Sequence, residues 1–298
     1  MMEPEYYVYT GRAGEVVPRH VTHVLIAKAL NFVRGRAFQE HPNVQEVICH
    51  DGVEKIEQLV FHRCHSLRRV IMPGVKEIER WAFGSCSALT YIECGKLERI
   101  GIWGFHECES LSSIDLPSIK IVEGSAFASC TNLINAKFGK DLESIRGGIF
   151  SYCRSLERFA LPLKDDLIYF VNTFVGCVNL THIDLVEAEV LNETIASLHM
   201  DGWKNDMNGE IESIHRILSN IPAGHVNGAA NGEKAQVIRA WIRSVLRKII
   251  HYKAEHRSYL NVAAATLLFS LPNDLVFKNI LPFLELPSYT FQGEENSD

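Results

Sequence analysis

The chain has 298 residues, 47% of them hydrophobic and 22% charged, with a formal net charge of -6. That is a soluble globular composition with room for one large domain or two ordinary ones, and the mild charge does not by itself point to nucleic acid. The opening "MMEPEYYVYTGRAGE" lacks the apolar core of a signal peptide, and the longest apolar run, Val262 to Leu271, is too short to span a bilayer. An intracellular protein, cytoplasmic or nuclear, is therefore expected. Eight cysteines do not imply a disulfide framework here, since such frameworks belong to short secreted chains.

In chain order, the first regular signal is a repeat. A weak copy, "FQEHPNVQEVIC", starts at Phe38 with His41 where later copies carry cysteine. Six well-formed units follow from Phe61 ("FHRCHSLRRVIM"), Phe83, Phe105, Phe127, Phe150 and Phe174, in steps of 22 to 24 residues. Val21, Val24 and Ile26 precede them as an opening strand, so eight strand-like segments are expected, starting near residues 21, 44, 67, 89, 111, 133, 156 and 180. Each unit reads Leu-x-x-Ile-x-Leu, with the alternation of a strand. Pro73, Pro117 and Pro162 then turn the chain. Two spaced apolar residues and Phe-x-x-Cys complete the unit. One such unit cannot bury its apolar face alone, whereas stacked units form one continuous core.

These units resemble the leucine-rich repeat family, specifically the BspA-like class with its AF-x-x-C-x-x-L-x-x-I-x-(I/L)-P pattern, over roughly residues 17 to 187. The resemblance implies an α/β repeat solenoid with a parallel strand face, and a noncatalytic role in binding proteins or surface ligands. Cys64, Cys86, Cys108, Cys130, Cys153 and Cys177 share one slot, which reads as a column of packed free thiols. A straight column cannot supply tetrahedral zinc ligands. Rungs ~4.8 Å apart fall within the cystine range of about 4.4–6.8 Å, but in-register side chains point the same way and bridging would strain the stack.

The residues flanking the strand isoleucines are expected to face solvent. The central column runs Leu25, Ile48, Ile71, Glu93, Asp115, Lys137, Ala160 and Asp184, and its neighbour His23, Glu46, Arg69, Tyr91, Ser113, Asn135, Arg158 and His182. An aliphatic row beside Arg69 and Tyr91 has the make-up of a binding patch, with an apolar centre, Arg and Tyr anchors and a polar rim. A protein partner is expected across rungs 2 to 5, at Ile48, Arg69, Ile71, Tyr91, Glu93 and Asp115. Cover by the N-terminal segment, and aliphatics present simply for strand propensity, are the alternatives.

The solenoid with its N-terminal cap is expected to occupy residues 1–190 and an α-helical region residues 191–298. Residues 208–221 read as a helix with Ile211, Ile214, Ile217 and Leu218 on one face, and "PAGHVNGAANGE" as a linker. Residues 233–258 form the clearest helix, with Ile238, Trp241, Ile242, Val245, Ile249 and Tyr252 as its apolar stripe. Arg239, Arg243, Arg247, Lys253 and Arg257 lie opposite. A solvated face on a capping helix, a phosphate-binding surface, and a membrane-surface or partner-groove helix all fit that pattern. One or two short apolar helices are expected next, broken at Pro272 and Pro282. "LPNDLVFKNILPFL", residues 271–284, resembles the opening of an F-box, which would imply a ubiquitin-ligase substrate adaptor. It departs from that pattern in following the repeats and in leaving only fourteen residues after Leu284.

Gly-x-Ser-x-Gly, His-Glu-x-x-His, a phosphate-binding Gly-rich loop and paired-cysteine zinc spacing are all missing. The expectation is a monomeric, noncatalytic interaction scaffold without cofactor or metal, for which nucleic acid and membrane are not expected partners. A substrate adaptor and a phosphate-rich-ligand binder stand as the alternatives.

Overall fold

The computed structural model describes residues 6–164, 167, 171–186, 201–221 and 233–270; within the helices, side chains are described at 205–221, 233–249, 251, 252, 258 and 262. The described residues form fifteen strands, numbered in chain order, distributed over two faces of a coil. One face carries β1 (Tyr6–Tyr9), β2 (His23–Ile26), β4 (Glu46–Ile48), β6 (Arg69–Ile71) and β8 (Tyr91–Glu93), followed by β10 (Ser113–Leu116), β12 (Asn135–Phe138), β14 (Arg158–Leu161) and β15 (His182–Leu185). The other carries two-residue strands: β3 (Phe32–Val33), β5 (Lys55–Ile56), β7 (Glu77–Ile78), β9 (Arg99–Ile100), β11 (Ile121–Val122) and β13 (Ser144–Ile145). Every described pairing is parallel and joins successive rungs in register, as when Val24 lies opposite Val47 and Val47 opposite Val70. The second sheet is continuous, while the first is interrupted once, between β8 and β10, where Ile92 is only partly buried.

The repeat's expected strands are all present, and one more precedes them. β1 pairs with β2, so the strand face has nine strands where eight were expected. Its sequence, "YYVY", matches no repeat position. Its alternation buries Tyr9 and partly buries Tyr7, and the Tyr9 ring packs 5.0 Å from Phe38.

Between the sheets runs the core. Phe38, Phe61, Phe83, Phe105 and Phe127 stack with centroids 5.1–5.3 Å apart, and Phe150 and Phe174 continue the column at 5.8 and 6.1 Å. Each is buried, and each burial is worth about 1.5–3 kcal/mol. Residues two before and two after these rings repeatedly adopt the left-handed conformation, as Trp81 and Ser85 do around Phe83 and Gly148 and Tyr152 do around Phe150. This tight turn returns the chain from the second sheet to the first. It costs a non-glycine residue roughly 1–2 kcal/mol, which the column offsets.

The six slot cysteines are free and buried. Each thiol also donates to the phenylalanine carbonyl of the preceding rung: Cys64 Sγ to Phe38 O at 2.9 Å, Cys86 to Phe61 at 3.1 Å, and so on to Cys177 and Phe150 at 2.9 Å. A buried side chain with one donor is what the slot requires. His41, in the cysteine slot of the weak copy, does the same work with Nε2 at 3.1 Å from Pro18 O. Burial pushes the Cys64 and Cys177 thiols up to about 12, so neither is a ready thiolate.

Two helices follow the rungs, α1 (Asp201–Asn220) and α2 (Glu233–Ser270). Both differ from expectation. α1 starts seven residues before 208. Its buried stripe is Met207, Ile214 and Leu218 with Ile211 partly buried, while Ile217 is 45% exposed because it sits about 60° round the helix from Ile214 and about 100° from Leu218, off the edge of that stripe. α2 continues without a break from the basic segment through the apolar run to Ser270, since no proline or glycine interrupts it before Pro272. Ile238, Trp241, Ile242, Val245 and Ile249 form its buried stripe, with Tyr252 partly buried. The F-box-like segment 271–284 and the linker 222–232 lie outside the described residues, as do the side chains of Lys253 and Arg257. Among the described residues no helix is long and apolar enough to cross a membrane.

Candidate partner-binding face

Parallel pairing carries each outward-facing column of the strand face straight along the stack. Tyr6, His23, Glu46, Arg69 and Tyr91 form one column, and Val8, Leu25, Ile48, Ile71 and Glu93 the next. β1 therefore extends the expected aliphatic row by one rung instead of covering it. Val8 is 50% exposed and Leu25, Ile48 and Ile71 are half-buried.

The flanking column is held in place by its own contacts. Tyr6 donates to Glu46 Oε2 at 2.5 Å, Arg69 Nε lies 3.4 Å from Glu46 Oε1, and the Arg69 guanidinium sits 5.1 Å from the Tyr91 ring centre. The Glu46 carboxylate beside it raises the Tyr6 hydroxyl's pKa, chiefly through that hydrogen bond. An Arg and a Tyr fixed against each other lose little freedom on binding, which favours them as anchors. Among the described residues Glu93 has no ion-pair partner. Asp115 lies across the interruption between β8 and β10 and faces Lys137 at 3.9 Å. Ile48, Arg69, Ile71, Tyr91 and Glu93 thus share one continuous surface, with Asp115 at its far edge. Tyr6 and Val8 belong to that surface too. The signal for them was the Tyr-Tyr-Val-Tyr alternation, seventeen residues before the matching positions of β2.

The second sheet's surface is different. Lys55 meets Glu77 at 3.2 Å and Glu79 at 2.5 Å, Arg99 meets Glu123 at 2.7 Å, Lys76 meets Glu54 at 2.8 Å and Lys120 meets Glu98 at 2.7 Å. Its charges neutralise one another from rung to rung.

At the C-terminal end the helices cap the stack. Lys234, in the first turn of α2, is buried and donates to three carbonyls of the last rung, Cys177 at 3.0 Å, Val178 at 3.2 Å and Leu180 at 2.7 Å. All three ammonium donors are satisfied by these carbonyls. Burial lowers the Lys234 pKa, with Cys177 opposing weakly. α1 packs on β15, with His215 Nε2 3.3 Å from Ile183 O. Trp241 Nε1 donates to Glu210 O at 3.1 Å and ties the helices together. On the basic side of α2, Arg243 and Arg247 are exposed and Arg239 is half-buried, while Lys248 is engaged by Glu210 at 2.8 Å. The apolar stripe of α2 is consumed by the cap. Among the described residues no three His, Cys, Asp or Glu side chains converge as metal ligands.

The family model described as "BspA type Leucine rich repeat region" matches residues 31–157 and 98–195. Among solved structures, the chain is similar to a leucine-rich repeat protein of T. pallidum, at 28% identity over 47% of this chain and 68% of that one, with a TM-score of 0.42. It is also similar to a leucine-rich repeat protein from Bacteroides ovatus, at 26% identity over 52% of this chain and 40% of that one, with a TM-score of 0.45. The chain thus spans about two fifths of the second protein. No curated protein matches it. Leucine-rich repeat proteins of this kind are generally noncatalytic scaffolds for protein interaction or surface adhesion. With the two matched stretches together covering residues 31 to 195, more than half of its length, the chain belongs to the BspA-type leucine-rich repeat family.

Proposed function

We propose that this protein is a noncatalytic interaction scaffold that holds a protein partner on the first strand face, across the rungs of β1 to β8. The observation that supports this reading is the contrast between the two sheets. One outer surface is closed by rung-to-rung ion pairs, while the other keeps an aliphatic row beside a prearranged Arg69–Tyr91 anchor. An apolar centre with Arg and Tyr at its margin and little charge within it is what distinguishes a contact surface from ordinary protein surface. The capping of the last rung by α1 and α2 fits the same reading, because a scaffold of stacked rungs needs its ends sealed.

Affinity capture from the source cell's lysate, identified by mass spectrometry, tests this with wild type beside Ile48→Arg/Ile71→Arg. The expected result is a partner held by wild type and lost from the variant, with the variant's circular dichroism and melting unchanged. Identical partners on both would remove the strand face as the site.

A further inference from the structure

The pitch and the charge of this face together specify what fits it. Successive rungs in a parallel sheet are ~4.8 Å apart, so Ile71, Ile48, Leu25 and Val8 lie about 5, 10, 14 and 19 Å from the rung of Glu93. A helix rises 1.5 Å per residue, so residues 3, 7, 10 and 14 positions on from its first-turn residue lie about 4.5, 10.5, 15 and 21 Å along its axis, all on one face. The two series agree to within about 2 Å over the whole row. A strand laid along the same row repeats its face only every ~6.7 Å and falls out of step by about 2 Å at each rung. The row is also bounded on one side by a wall, the Glu46, Arg69 and Tyr91 column, which sits two residues, or about 6.7 Å, away along the strands and suits a rod about 10 Å across.

Charge then gives direction. The row ends in Glu93, exposed and without an ion-pair partner among the described residues, and beyond it lies Asp115, 62% exposed with Lys137 no closer than 3.9 Å. Two carboxylates at one end of an apolar row favour the positive, N-terminal end of a helix and any lysine or arginine in its first turn. The opposite end carries Val8 and no described carboxylate in its column.

We infer that the partner element is an amphipathic α-helix lying along the solenoid axis, apolar at 3-4-3-4 spacing, with its basic N-terminal turn over Glu93 and Asp115. This rests on the strand-face reading above and narrows it to one class of occupant.

The test is selection of a displayed library of random 20-residue segments on the full-length protein, counter-selected on Ile48→Arg/Ile71→Arg. Expected clones carry the 3-4-3-4 apolar spacing with Lys or Arg in the preceding turn. Their synthetic peptides gain helical circular dichroism on binding and lose at least tenfold in affinity against Glu93→Lys/Asp115→Lys. Face-dependent clones with alternating apolar residues, with acidic ends, or indifferent to the charge reversal would overturn the helix while leaving the face intact. A library yielding no face-dependent clone also counts against the helix, and the lysate capture then decides separately whether the face itself stands.

Discussion

The two sheets of this solenoid are built from the same rungs and share one phenylalanine column, yet their outer surfaces have opposite characters. Along the second sheet, Lys55, Glu77, Arg99 and Glu123 alternate in sign from rung to rung and satisfy one another. Along the first, Val8, Leu25, Ile48 and Ile71 follow one another with no charge between them. Stacking amplifies whatever one rung displays, because residues a period apart become neighbours ~4.8 Å apart. A repeat protein can therefore close one surface and prepare the other by choosing the variable residues at two slots, without altering the core.

That account can be broken first at what the surfaces share. Phe105 lies mid-column, stacked on Phe83 and Phe127, so Phe105→Ala should cost about 3–5 kcal/mol in urea unfolding and disable both faces together. A loss below about 1 kcal/mol would show that the column does not hold the rungs.

The shared last rung comes next. Lys234→Met removes a donor from three last-rung carbonyls, of which Cys177 O keeps the Leu180 N–H, at a cost of about 2–4 kcal/mol. The pKa of Lys234 is lowered by burial, so between that lowered value and its ordinary value near 10.5 the folded chain binds fewer protons than the unfolded one. Wild-type stability relative to Lys234→Met should consequently rise with pH across that window and fall as pH drops through the lowered value. A pH-independent difference would contradict the burial of a charged ammonium.

Smaller still is the thiol column. Cys108→Ala removes the donor to Phe83 O and one sulfur's packing, for about 1–2 kcal/mol in the same unfolding measurement. Smallest is the closed surface itself. Lys55→Met breaks contacts to Glu77 and Glu79 that solvent screens, so it should cost at most about 1 kcal/mol and leave partner capture unchanged. Partner loss in that variant would erase the difference between the faces.

Much of this was legible in the residues. The Phe-x-x-Cys period placed eight of the nine face strands, the stacked core and the free cysteines, because the period follows directly from rung geometry. β1 was not legible as a rung because Tyr7 and Tyr9 do the packing that leucine and isoleucine do elsewhere. The work of the slot cysteines was hidden as well, since Cys86 bonds a carbonyl 25 residues earlier that only the stack brings near. Nothing in the sequence sets Lys234 apart from the other charges of its helix, although its ammonium binds three carbonyls of the last rung. The ion-paired surface did leave a signal, opposite charges one period apart, as in Glu54 and Lys76 or Glu98 and Lys120, 22 residues apart in each pair. Ile217 misled because isoleucines at 211, 214 and 217 suggest a stripe, whereas the buried face follows Met207, Ile214 and Leu218.

The most direct test of the central claim is chemical footprinting of the protein with and without its captured partner. Histidine, tyrosine and carboxylate modification at His23, Tyr91 and Glu93 would be compared with carboxylate modification at Glu54 and Glu98 on the second surface. The account predicts that the first three lose reactivity in the complex while the second two keep it. Protection of Glu54 and Glu98 with His23, Tyr91 and Glu93 unchanged would contradict it and move the partner to the opposite side of the solenoid.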